Sequence, residues 1–179
     1  MRRLPTVAVV LFASLIVAGC GSSKSQSTST ADWADGVCSA ISTWANSIKA
    51  AGESLKGGNI SKDSLQSAAD DATSATGTLE SDLKDLGKPD TQAGQQAKDM
   101  VDQLSSELKT ETDSIKNAVD DASGVSGIAS AVGTISSTLM TMGNQVYSTL
   151  KNLEQLDAKG ELQTAFQQSS SCKQLATSS

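Results

Sequence analysis

Four long stretches of this chain carry apolar residues at spacings of three and four, and this pattern is the strongest constraint on the fold. Such spacing puts the apolar side chains on one face of an α-helix. No segment alternates apolar and polar residues over five or more positions, as a half-buried strand would. Because short turns join the four stretches, the sequence predicts an all-α fold. The predicted architecture is an elongated, up-down four-helix bundle with a short C-terminal helix.

Glycine, serine and proline residues mark the predicted ends of the first two helices. The first helix is expected from about residue 31 to the glycines at 57 and 58. Ser61 is the expected N-cap of the second helix. Gly87 and Pro89 then terminate that helix, since glycine favours the position after a helix and proline cannot continue one.

The third and fourth stretches have weaker start signals. Asp90 or Thr91 is the expected cap of the third helix, and Gly124 and Gly127 are expected to bracket the next turn. The fourth helix should then run for about 32 residues, or about 48 Å, before Gly160 breaks it. Its predicted inner face is Val125, Ile128, Val132, Ile135, Leu139, Met142, Val146, Leu150, Leu153 and Leu156.

Residues 1–19 have the character of an export signal. Arg2 and Arg3 precede an apolar run over residues 4–18. This run is shorter than the roughly 20 apolar residues that cross a bilayer, and small residues follow it. The sequence Val17-Ala18-Gly19-Cys20 resembles the lipobox of bacterial lipoproteins. An ordinary secretory signal with a chance cysteine is the alternative.

The resemblance implies a lipid anchor at Cys20. In bacterial lipoproteins the cysteine thiol is joined to a diacylglycerol, the chain is cut before it, and the new amine is often acylated, for example with palmitate. Residues 1–19 would be removed, and the protein would sit at the extracytoplasmic face of the cell membrane. Residues 20–30 are then a Ser/Thr-rich tether, expected to be disordered, and 31–176 form the bundle domain.

The charge balance excludes several classes of partner and reaction. After cleavage the chain has 12 lysines and 20 acidic residues. The resulting net charge of −8 disfavours binding to nucleic acid. The chain has no histidine, which is the commonest general base and metal ligand. We expect no enzymatic activity, no cofactor and no metal site.

Two cysteines remain if Cys20 carries lipid. Cys38 lies about one turn into the first helix and Cys172 follows the fourth. In an up-down bundle of four helices these positions meet at the same end. Because disulfides persist outside the cytoplasm, we predict a Cys38–Cys172 bond. The alternative is a pair of free, buried thiols.

Polar residues interrupt the third apolar stripe at its middle. If the third and fourth helices fold back on each other, Glu111 and Thr112 come near Thr138 and Thr141. A buried carboxylate among hydroxyl groups would be a candidate functional site. The alternative is that Thr112 packs inward and Glu111 points to water.

Two functions are compatible with these features. The first is a non-catalytic interaction or cell-envelope module that binds another envelope protein or a surface component. The chain is similar in style to small, helical lipoproteins that actinobacteria export, although no diagnostic motif supports this likeness. The alternative is a carrier or sensor of a small ligand held between the helices. An apolar pocket of about 300 Å³ or more would favour the carrier.

Overall fold

The computed structural model of this chain describes residues 27–56, 60–157 and 160–178. It confirms the predicted all-α fold, in which four long helices pack in up-down pairs and short helices follow. The long helices are α1 (Thr30–Ser54), α2 (Lys62–Leu86), α3 (Gly94–Asp120) and α4 (Gly124–Gln155). The short elements are α5 (Glu161–Gln168), α6 (Ser170–Ser178), β1 (Ser27–Thr28) and β2 (Lys88–Pro89).

The ends of α2 follow the predicted signals. The Ser61 hydroxyl accepts from the backbone N–H of Ser64, and the Ser64 hydroxyl accepts from the backbone N–H of Ser61. This reciprocal capping box satisfies two backbone donors that the helix itself leaves unpaired. Gly87 ends the helix with a φ of 63°, which a residue with a Cβ adopts only at a cost.

The start of α3 differs from the prediction, because the chain between α2 and α3 pairs with the N-terminal segment. Ser27 and Thr28 run parallel to Lys88 and Pro89 as a two-residue strand pair. The following turn delays α3 until Gly94, so Asp90 and Thr91 do not cap it. Residues 27–30, predicted as part of the tether, therefore belong to strand β1 and the start of α1.

One hydrophobic core extends through the bundle. Its α2 side combines three leucines with three alanines, and its α3 side carries Leu104, Leu108 and Ile115. On α4 the inward residues include Ala131, Ile135, Met142, Val146 and Leu153. The prediction for Val125 was wrong: its side chain is 89% exposed.

The helices that follow α4 cover α1 and leave part of α4 open. Both α5 and α6 pack on α1, whereas α1 makes few contacts with α4. Phe166 of α5 meets the Trp33 ring edge to face, with ring centroids 6.1 Å apart, and Leu162 is fully buried nearby in sequence. Since α4 packs mainly on α3, its side facing away from the bundle remains uncovered.

Candidate functional site

A hydrogen-bonded polar layer crosses the apolar core and joins three helices. The indole Nε1 of Trp44 in α1 donates to the hydroxyl Oγ1 of Thr76 in α2 over 3.3 Å. Thr112 Oγ1 in α3 lies 3.3 Å from Thr76 Oγ1 and 2.8 Å from the carbonyl oxygen of Leu108. Trp44, Thr76 and Thr112 are all buried. Their polar atoms are mutually satisfied, so the layer selects one arrangement of α1, α2 and α3.

The four residues predicted for a polar layer separate in the structure. Thr112 and Thr138 are buried, as a core layer requires. Glu111 is partly exposed, and Thr141 is exposed with its hydroxyl donating to the carbonyl oxygen of Ser137 at 3.1 Å. The helix turns Glu111 away from the core because Thr112, four residues after Leu108, takes the inward position. The first alternative, a buried carboxylate in this layer, is therefore wrong, and the second, with Thr112 inward and Glu111 turned outward, describes the structure.

Sequence reasoning missed Thr76 and Trp44 as members of the layer. Thr76 follows Ala72 by four residues and precedes Leu79 by three, so it occupies an inward position of the α2 stripe. This spacing is a readable signal for Thr76, but Ala75 fits the same spacing equally well. No local signal identifies Trp44, because the acceptor of its N–H lies on another helix.

The layer offers structural rather than reactive chemistry. It holds two hydroxyls and one indole, and none of these groups is charged or a ready proton acceptor. Within residues 27–56, 60–157 and 160–178, no three acidic or cysteine side chains are grouped closely enough to hold a metal ion. The layer therefore stabilises one packing and supplies no reacting group.

A cleft of about 390 Å³ opens between α3 and α4. Its walls are rich in amide and hydroxyl side chains, and Met100 and Leu104 contribute apolar surface. The amide and hydroxyl residues are Gln103, Thr141, Asn144, Gln145, Ser148, Thr149 and Asn152. The buried Oε1 atom of Gln145 has no hydrogen-bond partner within the part of the chain that the structure describes. An unpaired buried acceptor is costly, so this cleft suits a ligand that brings a donor.

The outward side of α4 carries three exposed large apolar side chains. Val125, Met140 and Tyr147 are 89%, 68% and 67% exposed, and they are the exposed large apolar side chains among the described residues. At 100° per residue they fall within about 60° of one another around the helix. Small exposed residues share this side, which we call the outer face of α4: Val125, Ala129, Gly133, Ser136, Met140, Gly143 and Tyr147.

The same stretch of the chain carries no charge. No charged residue lies between Asp121 and Lys151, although the chain as a whole is acidic. By length and composition alone α4 is apolar enough to span a membrane, and 22% of its most apolar 18 residues are buried in the bundle. Its inward residues fill the bundle core, so the remaining apolar surface is available to a partner.

A clamp fastens α6 to α1. The predicted Cys38–Cys172 disulfide is confirmed, with the two Cα atoms 4.9 Å apart. One turn before Cys38, the Asp35 carboxylate accepts from the Ser169 hydroxyl at 2.6 Å, and from the backbone N–H and hydroxyl of Ser171 at 3.2 and 3.1 Å. The carboxylate thus caps the N-terminus of α6, where a negative charge is favoured.

These donors shift the ionisation of the clamp. The Ser169 hydroxyl is the largest influence, and with the Ser171 N–H it holds the pKa of Asp35 below its usual value of 3.8. Partial burial acts in the opposite direction and is outweighed. The clamp is therefore strongest when Asp35 is ionised.

The proposed lipidation site, Cys20, lies outside the described residues. Strand β1 nevertheless fixes where the chain enters the domain, beside the clamped end of α1. Comparison with protein-family models, with curated proteins and with solved structures found no match.

Proposed function

We propose that this chain is a lipid-anchored protein of the extracytoplasmic face of the cell membrane. Its helical bundle acts as a non-catalytic module that binds another component of the cell envelope. The observation that carries the proposal is the outer face of α4, which is uncharged and exposes Val125, Met140 and Tyr147 on an otherwise acidic molecule. Exposed apolar patches of this kind mark interaction sites on soluble domains.

Two further features support the location. The lipobox-like Val17-Ala18-Gly19-Cys20 favours attachment to the membrane through Cys20. The Cys38–Cys172 disulfide favours an oxidising compartment, since cytosolic thiols are kept reduced. Strand β1 starts seven residues after Cys20, so this length of chain can place the bundle at most about 25 Å from the anchor.

The proposal is tested by site-specific photocrosslinking in cells that export the chain. A photoreactive amino acid replaces Met140 on the outer face of α4, and Gln66, an exposed residue of α2, is the matched control position. We expect adducts from position 140 and few from position 66. Equal labelling at both positions would contradict an interaction surface on α4. The Cys20→Ser variant should leave the membrane fraction or remain uncleaved.

The cleft between α3 and α4 supports a second candidate function, the binding of a small polar ligand. The unpaired Gln145 Oε1 favours it, because a ligand hydroxyl or amide N–H would satisfy that atom. Titration of isotope-labelled protein with short peptides and with small polyols tests this by NMR. Shifts of the Gln103, Asn144 and Gln145 side-chain amides that saturate, and that Gln145→Leu abolishes, would support ligand binding. Unchanged amide signals would eliminate it for these two ligand classes.

A further inference from the structure

The cleft between α3 and α4 is long and narrow, because helical spacing sets the residues of both walls. On α4 the wall consists of residues 141, 144, 145, 148, 149 and 152, which follow the spacings of three and four and share one side of the helix. Residues 100, 103, 104 and 107 of α3 form the other wall. At 1.5 Å per residue these rows are about 16 Å and about 10 Å long. A cleft of this shape suits a chain of linked units better than a compact ligand.

We infer that this cleft binds a short, uncharged saccharide chain through its hydroxyl groups. The inference rests on the second candidate function, the binding of a polar ligand, and names the class of that ligand. Amide and hydroxyl side chains together donate and accept hydrogen bonds, and sugar hydroxyls do both as well. The partly exposed Met100 adds an apolar surface on which the C–H groups of a sugar ring can pack.

Several polar groups of the α4 wall are available to a ligand. An exposed helical threonine often donates to the carbonyl oxygen four residues back, as Thr43 does to Ser39. Within the part of the chain that the structure describes, the hydroxyls of Ser148 and Thr149 make no such bond. The side-chain amide of Asn144 likewise has no partner among these residues. The wall therefore presents donors and acceptors that the bundle itself does not use.

The half-buried Gln145 gains the most from such a ligand. Its Oε1 atom is buried and has no hydrogen-bond partner among the described residues. The last torsion of a glutamine side chain has a broad range, so the amide group can turn its oxygen toward the cleft that the residue lines. A sugar hydroxyl in the cleft would then pair an acceptor that is otherwise buried without a partner.

The charge of the cleft disfavours anionic ligands. Glu107 is the one charged residue among those that line it, and it accepts from the side-chain amide of Gln103 at 2.8 Å. Recognition of a phosphate or carboxylate usually relies on arginine or lysine. No lysine lines the cleft, and both arginines of the chain, Arg2 and Arg3, precede Cys20. An uncharged ligand avoids repulsion by Glu107.

The usual modes of peptide binding need features that this cleft lacks. An added strand needs an open sheet edge, a docked helix needs an apolar groove, and a proline-rich segment needs aromatic walls. Here two helices form the walls, amide and hydroxyl groups predominate, and no aromatic residue is among those that line the cleft. A saccharide chain uses the groups that are present.

Side-chain amide NMR of the mature, full-length chain in phosphocholine micelles tests the inference. The probes are four uncharged trisaccharides: maltotriose, cellotriose, mannotriose and triacetylchitotriose. With at least one of them we expect saturable shifts of the Gln103, Asn144 and Gln145 amides, while the amide of Gln66 on the exposed side of α2 stays unchanged. Glucose fills only part of the cleft and should bind at least about fivefold more weakly. No shift with any trisaccharide, or equal affinity for glucose, would overturn the inference.

Substitutions locate the site and distinguish a sugar from a cation. Gln145→Leu should weaken trisaccharide binding by about fivefold, the effect of one hydrogen bond, and Asn144→Ala at an exposed position should act in the same direction. Gln66→Leu is the matched control and should leave the affinity unchanged; equal thermal midpoints show that the variants are folded. Glu107→Gln should change the affinity by less than about threefold, because the ligand carries no charge. Unchanged binding in both Gln145→Leu and Asn144→Ala would overturn the inference.

Two competing probes decide against other ligand classes. Spermidine supplies ammonium groups that would pair with Glu107, and tri-alanine supplies a peptide backbone. Saturable shifts from spermidine alone, lost in Glu107→Gln, would overturn the inference. Shifts from tri-alanine alone would do the same.

The photocrosslinking at Met140 separates this inference from the interaction module. Adducts at Met140 without trisaccharide binding would leave the module standing and overturn the saccharide site. Binding of small polyols without any trisaccharide would leave the polar-ligand function standing and also overturn it. Trisaccharide binding by a chain that gives no adducts at Met140 would support the inference and contradict the surface on α4.

Discussion

Replacement of Thr76 by valine is expected to destabilise the bundle through Trp44. Valine has the shape of threonine but cannot accept the hydrogen bond that the buried Trp44 Nε1 makes over 3.3 Å. An unpaired buried donor costs about 1–3 kcal/mol. Thr112 adds little to this cost, because its hydroxyl still donates a hydrogen bond to the carbonyl oxygen of Leu108 at 2.8 Å. We therefore expect Thr76→Val to lower the free energy of unfolding by about 1–3 kcal/mol.

Urea unfolding followed by far-ultraviolet circular dichroism measures this effect. Thr112→Val is the matched control, since it leaves the Trp44–Thr76 bond in place and should cost under about 1 kcal/mol. In the Trp44→Phe background the donor is gone, so Thr76→Val should become nearly neutral. The reasoning would be refuted if Thr76→Val cost no more than Thr112→Val, or cost the same with and without Trp44.

Three further predictions concern the clamp and the α2–α3 turn. The Cys38–Cys172 bond spans 134 residues, for which the chain-entropy relation gives a contribution of at most about 5 kcal/mol to the free energy of unfolding. In urea unfolding, either single Cys→Ala variant should lose nearly as much stability as the double variant. Additive losses would contradict a single bond. Because folding lowers the pKa of Asp35, its stabilisation is complete above pH 3.8 and is lost as the pH falls through the folded-state value. The stability difference between wild type and Asp35→Asn should shrink below pH 3.8, and a constant difference from pH 6 to pH 3 would contradict this role. Gly94→Ala should lower the free energy of unfolding by about 1–3 kcal/mol, because the new methyl group would collide with the Pro89 carbonyl oxygen. An unchanged urea midpoint would contradict the close approach.

The long helices were predictable because their signals are local. The three-four spacing identifies the inward faces, and Ser61 and Gly87 mark the ends of α2 through their own backbone chemistry. Cys38 and Cys172 could be paired because the parity of four antiparallel helices decides which ends meet. None of these inferences needed knowledge of a distant contact.

The errors arose where a distant contact decides the outcome. Strand β1 delays the start of α3, and no residue near Thr91 signals that pairing. Val125 continues the apolar spacing of α4, but neighbouring helices do not extend over it. Helix α6 follows α5 after one residue, and it is held by Asp35 from the other end of the sequence. The spacing of apolar residues alone cannot reveal such partners.

The polar layer shows the same limit at the level of single atoms. The spacing indicated that either Glu111 or Thr112 faces inward, and the core selected the smaller, neutral threonine. Thr76 belongs to the layer because its hydroxyl accepts the hydrogen bond of the buried indole N–H of Trp44 on α1. The sequence contains both residues, but only the packing of three helices brings them together.

The chemical state of Cys20 in the membrane fraction is the most direct test of the proposed lipid-anchored module. Mass spectrometry of the N-terminal peptide of the exported protein measures it. We predict a mature chain that begins at Cys20 and carries diacylglycerol on the thiol, with Cys38 and Cys172 joined. A membrane-bound mature chain with an unmodified Cys20 thiol would contradict the account.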